Sequence, residues 1–373
     1  MGMHRQNRVT EAKAYMKRNE YRKAKRKSSK IRLVLKIGLA MTVAALFAVG
    51  IYGVTLHKKA ELAADRAYEA IPDRTPRTTK DETHIQPAKD NVSVLLIGVD
   101  DSDDRQQGDS NSRADALLVA TLNPKLKTVK LLSIPRDSYV YIPEVDYKDK
   151  ITHANAYGGT KATVETVEEM LDIPIDYYLK TNFNAFIDVV DALGGVEVDV
   201  PYERIEKDET DAGTIHLMPG LQTLDGRHAL ALARTRKLDN DIERGKRQQM
   251  IIQAMMDRAK SPAAITKFGD VIDALGNNIK TNMQYSEMLS FLEYAKGGMP
   301  AVDTLTLTGD DDWSTGVYYW KLDDEDLQQK RLILQSHLGL ISPLVSDDEK
   351  TATGLEEPAD DESGSNSTED TEY

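Results

Sequence analysis

Acidic and basic side chains recur at three points in the chain where an apolar run ends. Val94-Leu95-Leu96-Ile97-Gly98-Val99 is followed by Asp100, Arg113-Ala114-Asp115 precede a second apolar run, and Ser133-Ile134-Pro135-Arg136-Asp137 close a third. A fourth cluster extends from Arg234 through Arg236, Asp241 and Arg244 to Gln248. Guanidinium groups bind phosphate with paired donors and keep their charge at any physiological pH, so several arginines aimed at one space suit a polyanion. Asp100 and Asp115, at adjoining strand ends, suit one hard divalent cation, Mg²⁺ or Mn²⁺, which takes one or two carboxylates together with phosphate oxygens. The chemistry these groups fit is a diphosphate bridged to a metal, with Arg113, Arg136, Arg234, Arg236 and Arg244 around it. Singly, each has a plainer explanation: Gly-x-Asp as a turn, Pro-Arg-Asp as a local ion pair, Lys246 and Arg247 as surface charge.

The elements that must carry these residues follow from periodicity. A helix from about Asn240 puts Asp241, Arg244 and Gln248 on one face and continues as a buried stripe through Ile251, Ala254 and Met255. Strands are expected at Asn91 to Val99, Ala116 to Leu122 and Thr128 to Ile134, the last two joined at Asn123-Pro124-Lys125. Helices then alternate with strands: helices at Lys161 to Leu171, Ala185 to Leu193, Ala229 to Arg234, Asp241 to Ala259, Ala264 to Leu275, Tyr285 to Ala295 and Asp323 to Leu338, and strands at Tyr177 to Lys180, Val196 to Val200 and Val302 to Leu307. Such interleaving predicts an α/β fold with a mixed central sheet.

Composition sets further bounds. The 373 residues carry a net charge of −13, unevenly placed. Residues 1–36 hold thirteen of the 48 basic side chains and two of the 61 acidic ones, leaving 35 bases against 59 acids elsewhere. A body that acidic is a poor partner for nucleic acid, so its arginines serve a small, local anion. With no cysteine, disulfides and thiolate chemistry are excluded. Ile37 to Leu56 is a run of twenty residues without a charge, the length a helix needs to cross a bilayer. The basic arm before it is expected to be cytoplasmic and everything after it extracytoplasmic. Residues 57–89, with Pro72, Pro76 and Pro87, are expected as a stalk, 90–345 as the folded domain, and the acidic segment 346–373 as a disordered tail.

The ordered motifs LLIGVD (Leu95 to Asp100), RADALLVATLNP (Arg113 to Pro124), SIPRD (Ser133 to Asp137), KITHANAYGG (Lys150 to Gly159), NFNAFIDVVDALGGVEVDVP (Asn182 to Pro201) and the Arg234 to Gln249 stretch together resemble the LytR-CpsA-Psr family of cell-wall glycopolymer ligases. The resemblance implies a three-layer α-β-α sandwich behind a single-pass anchor in a bacterial cell membrane, with a greasy channel for a prenyl chain lined from around Ala185 to Val190 and Ile251 to Met256. It implies a phosphotransferase that moves a polyprenyl-pyrophosphate-linked glycopolymer (teichoic acid, capsule or a related polysaccharide) onto a peptidoglycan hydroxyl and releases polyprenyl phosphate. It assigns Asp100 and Asp115 to magnesium, Arg113, Arg136, Arg234, Arg236, Arg244 and Gln248 to the pyrophosphate, and Asp241 to the same site. Asp115 or Asp241 is the expected base, and His153 is expected to be a hydrogen-bonding residue rather than a catalyst. The rival expectations are a polyprenyl-pyrophosphate hydrolase and a non-enzymatic lipid-carrier-binding or wall-regulatory protein.

Overall fold

The computed structural model describes residues 53–74, 77, 85–99, 112–208, 213–235, 241–259, 261, 269, 271–272, 274, 276, 279–296 and 300–342, with the side chains of 292–296 excepted. The membrane-length run up to residue 52, Asp100, Arg236 and the acidic tail lie outside the described residues. Among the described residues no helix is long and apolar enough to cross a membrane.

After a first helix, α1 (53–67), come β1 (Val92–Val99), β2 (Ala114–Asn123), β3 (Thr128–Ile134), β4 (Tyr139–Ile142) and β5 (Tyr147–Lys150). Then follow α2 (Ala154–Leu171), β6 (Tyr177–Asn182), α3 (Phe183–Ala192), β7 (Val196–Val200), β8 (Arg204–Lys207), β9 (Thr214–Leu217) and β10 (Gly220–Leu224). The chain continues through α4 (Gly226–Arg234), α5 (Asp241–Ala259), β11 (Ile279–Thr281), α6 (Tyr285–Lys296), β12 (Ala301–Thr306), β13 (Gly309–Asp312), β14 (Tyr319–Leu322) and α7 (Asp324–Leu338).

The central sheet has the order β11-β6-β1-β2-β3-β12 and is mixed. β1 runs parallel to β6 and antiparallel to β2, and β3 runs antiparallel to β2 and parallel to β12. The C-terminal ends of β1, β3 and β6 and the N-terminal end of β2 therefore meet along one edge, where open α/β sheets present ligand-binding groups. β1 is buried on both faces and is apolar except at Ser93, whose hydroxyl is satisfied by the Pro174 carbonyl at 2.6 Å. Leu95, Ile97 and Val99 face Val164, Val167 and Leu171 of α2 and Leu334 and Leu338 of α7. Val92, Val94 and Leu96 face Met288 and Phe291 of α6. Helices thus cover both faces of the sheet. A separate cluster joins α3, α4 and α5 to the β7–β10 pair.

Several boundaries differ from expectation. α2 starts at Ala154 instead of Lys161, across a kink at Gly158 and Gly159, because contacts from its first turn hold the neighbouring strand ends. α4 starts at Gly226, capped by the Asp225 side chain, which accepts from the His228 N–H at 2.9 Å. Part of residues 57–89, expected as a stalk, packs against the domain. Ala63, Ala64, Ala67, Ile71 and Ile85 are buried, Arg74 forms a forked pair with Glu168, and Arg77 forms one with Asp176. The helix expected at Ala264 to Leu275 falls almost entirely outside the described residues.

Candidate active site

The described segments before β2 and after β3 are held side by side by the KITHANAYGG motif. Thr152 Oγ1 donates to the Ala114 carbonyl at 2.8 Å, and Asn155 Nδ2 to the Ser112 carbonyl at 2.6 Å, so the chain on both sides of Arg113 is fixed. The Thr152 N–H reaches the Arg136 carbonyl at 3.1 Å and the Ile151 N–H the Ser138 carbonyl at 2.9 Å. His153 stands outside this clamp and meets Asp149 at 2.8 Å, in keeping with the hydrogen-bonding role expected for it.

α5 supplies the opposite wall. Its Gly245 is buried, and a Cβ there would come within 2.3 Å of Ser133 Oγ, so only glycine lets the helix approach the end of β3 this closely. That approach brings Asp241 to the SIPRD turn. The Arg136 backbone N–H donates to Asp241 Oδ2 at 2.8 Å, while Arg244 Nη2 lies 2.7 Å from Oδ1, a charge contact without good hydrogen-bond alignment. Asp241 and Arg244 side chains are 8% and 6% exposed, so this pair forms the foundation of the wall.

Arg136 Nη1 is 2.5 Å from Asp115 Oδ1, and Asp115 is 26% exposed at the mouth. Burial alone would lower the Arg136 pKa, but Asp115, Asp137 and Asp241 outweigh it and hold the guanidinium above its ordinary value. Its Nε is buried with no hydrogen bond among the described residues; the Asp137 carboxylate stands 3.5 Å away. Asp137 in turn meets Lys150 Nζ at 2.9 Å. Burial pushes its pKa up, and Lys150 and Arg136 overcome that and keep it below the usual carboxylate range.

Arg234, the last residue of α4, lies over the Phe183 ring at 4.6 Å and donates to the Asp208 carbonyl at 3.3 Å. The segment beside it is fixed by Arg247, which corrects an expectation. Arg247 was expected as surface charge but is 3% exposed, with donors to the Leu232 carbonyl (3.2 Å), the Thr235 carbonyl (2.6 Å) and the Tyr202 hydroxyl (2.9 Å). It satisfies acceptors left open where α4 ends. Lys246, by contrast, is exposed, with a Glu243 partner at 2.7 Å.

Arg113, Asp115, Arg136, Arg234, Arg244 and Gln248 all line one cavity of about 800 Å³. Its depth is apolar and lies between the sheet and α3, α4 and α5. Leu96, Leu118 and Leu179 form the sheet side, and Phe186, Ile252 and Met255 are among the residues opposite. Of the two expected lining segments, Ile251, Ile252, Met255 and Met256 do line it. Along α3 the lining residues are Phe183 and Phe186, while Val189 and Val190 pack into other clusters. Glu206 and Lys207, which nothing in the sequence pattern marked, also line the cavity. Asp100 and Arg236 cannot be placed in it, since both lie outside the described residues.

The cavity thus joins an apolar depth to an arginine mouth at the edge where β1, β3 and β6 end, and the LytR_cpsA_psr family model matches residues 54–336. This chain belongs to the LytR_cpsA_psr family. It is 41% identical over 327 residues to polyisoprenyl-teichoic acid–peptidoglycan teichoic acid transferase TagT of Bacillus subtilis (strain 168), covering 87% of this chain and 99% of that protein. To TagU of the same organism it is 38% identical over 312 residues, covering 83% and 95%. Among solved structures of family members, TagT bound to LI-WTA matches at a TM-score of 0.60 and 40% identity, across 73% of this chain and 100% of that one. The YwtF (TagT) structure with bound octaprenyl pyrophosphate lipid matches at 0.57 and 38%, with the same coverage.

Proposed function

We propose that this protein transfers a polyprenyl-pyrophosphate-linked glycopolymer onto a peptidoglycan hydroxyl and releases polyprenyl phosphate. The observation that carries this reading is a single cavity whose depth is apolar and whose mouth holds four arginines, Gln248 and Asp115. A lipid tail and a diphosphate are the two halves of one ligand that such a site fits. The relative with bound octaprenyl pyrophosphate, 38% identical, supports the same assignment.

In this reaction the acceptor oxygen forms a bond to the phosphorus bearing the glycopolymer, the bridging P–O bond breaks, and the electron pair leaves with the lipid phosphate. The protein's share is positioning and charge neutralisation. Arg113, Arg136, Arg234 and Arg244 face the charge that builds on the nonbridging and leaving oxygens. The acceptor hydroxyl must lose its proton. Asp241 is nearly buried, with one oxygen on the Arg136 N–H and the other against Arg244. It orients those donors, and Asp115 is the carboxylate placed to take the proton. The donor set suits Mg²⁺, because Asp115 is a partly exposed carboxylate among the arginines of the mouth, and Val99, the residue before Asp100, pairs with Ala114. When bound, the ion would be held by Asp100 and Asp115 and would supply further neutralisation of the diphosphate. The anchor belongs to the same proposal: the uncharged run Ile37 to Leu56, with the basic arm before it, supports a single-pass chain with an extracytoplasmic domain.

The test is attachment of polymer to peptidoglycan by the full chain in membranes. Asp115→Ala and Arg136→Ala each abolish attachment while the protein remains folded and membrane-bound. Retained attachment in both variants overturns the reading, and free polymer released in the presence of acceptor assigns a hydrolase instead.

A further inference from the structure

Beside the mouth is a group of aromatic side chains that the cavity does not use, with Trp313, Tyr147 and Tyr157 exposed and Tyr139, Tyr318 and Tyr319 half-buried. The antiparallel pairs β4–β5 and β13–β14 are joined edge to edge through the Ser138–Trp320 bridge, and the Trp320 N–H donates to the Asp137 carbonyl at 2.8 Å. Across this surface Trp313 stands 5.1 Å from Tyr318, and Tyr139 stands 4.6 Å from Tyr319. Lys150 Nζ lies over both Tyr318 (5.5 Å) and Tyr319 (5.7 Å). The same ammonium is 2.9 Å from Asp137, whose other oxygen faces Arg136, so the ledge is continuous with the diphosphate mouth. Tyr318 also feels the Asp137 and Asp241 charges, which add to burial and the Asp311 hydrogen bond in raising its pKa. At the far side, Tyr147 and Tyr157 are 6.0 Å apart and 48% and 38% exposed.

Exposed rings at Trp313, Tyr147 and Tyr157, backed by half-buried ones, mark a recognition surface. Flat ring faces with carboxylates between them suit a carbohydrate, whose C–H faces stack on aromatic rings and whose hydroxyls donate to carboxylate oxygens. Asp311 is the exposed carboxylate among the rings, accepting from the Tyr318 hydroxyl at 3.0 Å, while the buried Asp149 fixes Tyr157 by accepting from its hydroxyl at 2.6 Å. The strand Gly309–Asp312 adds Asp310 and Asp312 to the rim. With Lys321 opposite Asp310 and Lys148 over Tyr139, the three aspartates still leave this edge net acidic, which disfavours a phosphate-rich polymer more than a neutral amino-sugar backbone. We propose that this ledge docks the peptidoglycan glycan strand, delivering its hydroxyl to the mouth beside Arg136. The inference rests on the transferase reading given above.

The protein's two tryptophans are Trp313, 64% exposed, and Trp320, 7% exposed, so a ligand on the ledge registers chiefly through Trp313 emission. The full chain in detergent micelles, titrated with soluble uncross-linked peptidoglycan strands, shows a saturable change in Trp313 emission, and Tyr147→Ala, which keeps the reporter, moves its midpoint about five- to tenfold higher. In transfer assays Trp313→Ala and Tyr147→Ala each raise the acceptor KM about five- to tenfold, while the donor-lipid KM holds. Both side chains are surface groups, and thermal melts establish that the variants remain folded. An acceptor KM unchanged in both variants overturns the proposal, as does a rise confined to the donor KM. An emission change of equal strength with soluble polyglycerol-phosphate teichoic acid overturns it too. Were the wild-type protein to transfer nothing, the transferase reading would fail, while the peptidoglycan titration would still report whether the ledge binds glycan.

Discussion

Asp241 and Asp115 are both carboxylates beside Arg136, yet their surroundings give them different work. Asp241 holds the Arg136 peptide N–H and faces Arg244 from beneath the mouth, whereas Asp115 meets the Arg136 guanidinium at the opening. Asp241→Asn keeps the shape and removes the charge opposite Arg244. We expect kcat/KM for transfer to fall about 100-fold, a loss comparable to that of one donor at an oxyanion site, and the melting temperature to drop by several degrees because the buried Arg244 charge loses the Asp241 carboxylate. Arg136→Lys is not a conservative change either. A lysine offers a point charge in place of a planar fork, so the variant stays folded and attaches little polymer in the same assay.

At the level of elements, two polar side chains tie helices to the rest of the fold. Arg247 links α5 to the end of α4, and Arg247→Met leaves the Leu232 and Thr235 carbonyls without their donor, at about 1–3 kcal/mol each by denaturant unfolding. Its transfer activity falls as well, because the segment carrying Arg234 loses its support. His337 links α7 to the sheet: its Nδ1 is 2.7 Å from Thr121 Oγ1 and its Nε2 is 2.8 Å from Thr128 Oγ1. Burial, aided by the Lys130 charge, lowers its pKa from 6.5 to about 4, so the fold favours the neutral ring. The unfolded chain therefore binds the proton more readily between those values. The stability that His337 contributes is complete above pH 6.5 and is lost as the pH falls toward 4, on the order of 3 kcal/mol in all. Urea unfolding at pH 7.5 and pH 5 measures this loss, and His337→Asn reduces the difference between the two.

Over the whole molecule, the sheet brings the diphosphate-binding groups and the lipid-sized cavity to one edge, so that a single ligand spans both. Occupying the cavity with protein tests that coupling. Ile252→Trp places an indole among the lining residues, and less polyprenyl lipid then copurifies with the full chain by mass spectrometry. Attachment falls in parallel, although no arginine has changed. Equal lipid recovery from the variant and the wild type would show that the tail binds elsewhere.

The sequence by itself determined the features that depend on local spacing. Asp241, Arg244 and Gln248 fall on one helical face at any position in a fold, β1 is buried because every residue from Val94 to Val99 lacks a charge, and the motif order is that of the family. Tertiary structure alone decided how those pieces meet. Asp241 and Arg136 are 105 residues apart, and their hydrogen bond depends on the close approach that Gly245 permits. Arg247 has the composition of a surface charge and becomes a buried brace because the end of α4 folds over it. β13, a glycine followed by three aspartates, has no strand periodicity and exists through its pairing with β14. Periodicity records which face of an element is buried. Which element covers that face, and which distant carbonyl or carboxylate it brings, depends on long-range packing that no local window contains.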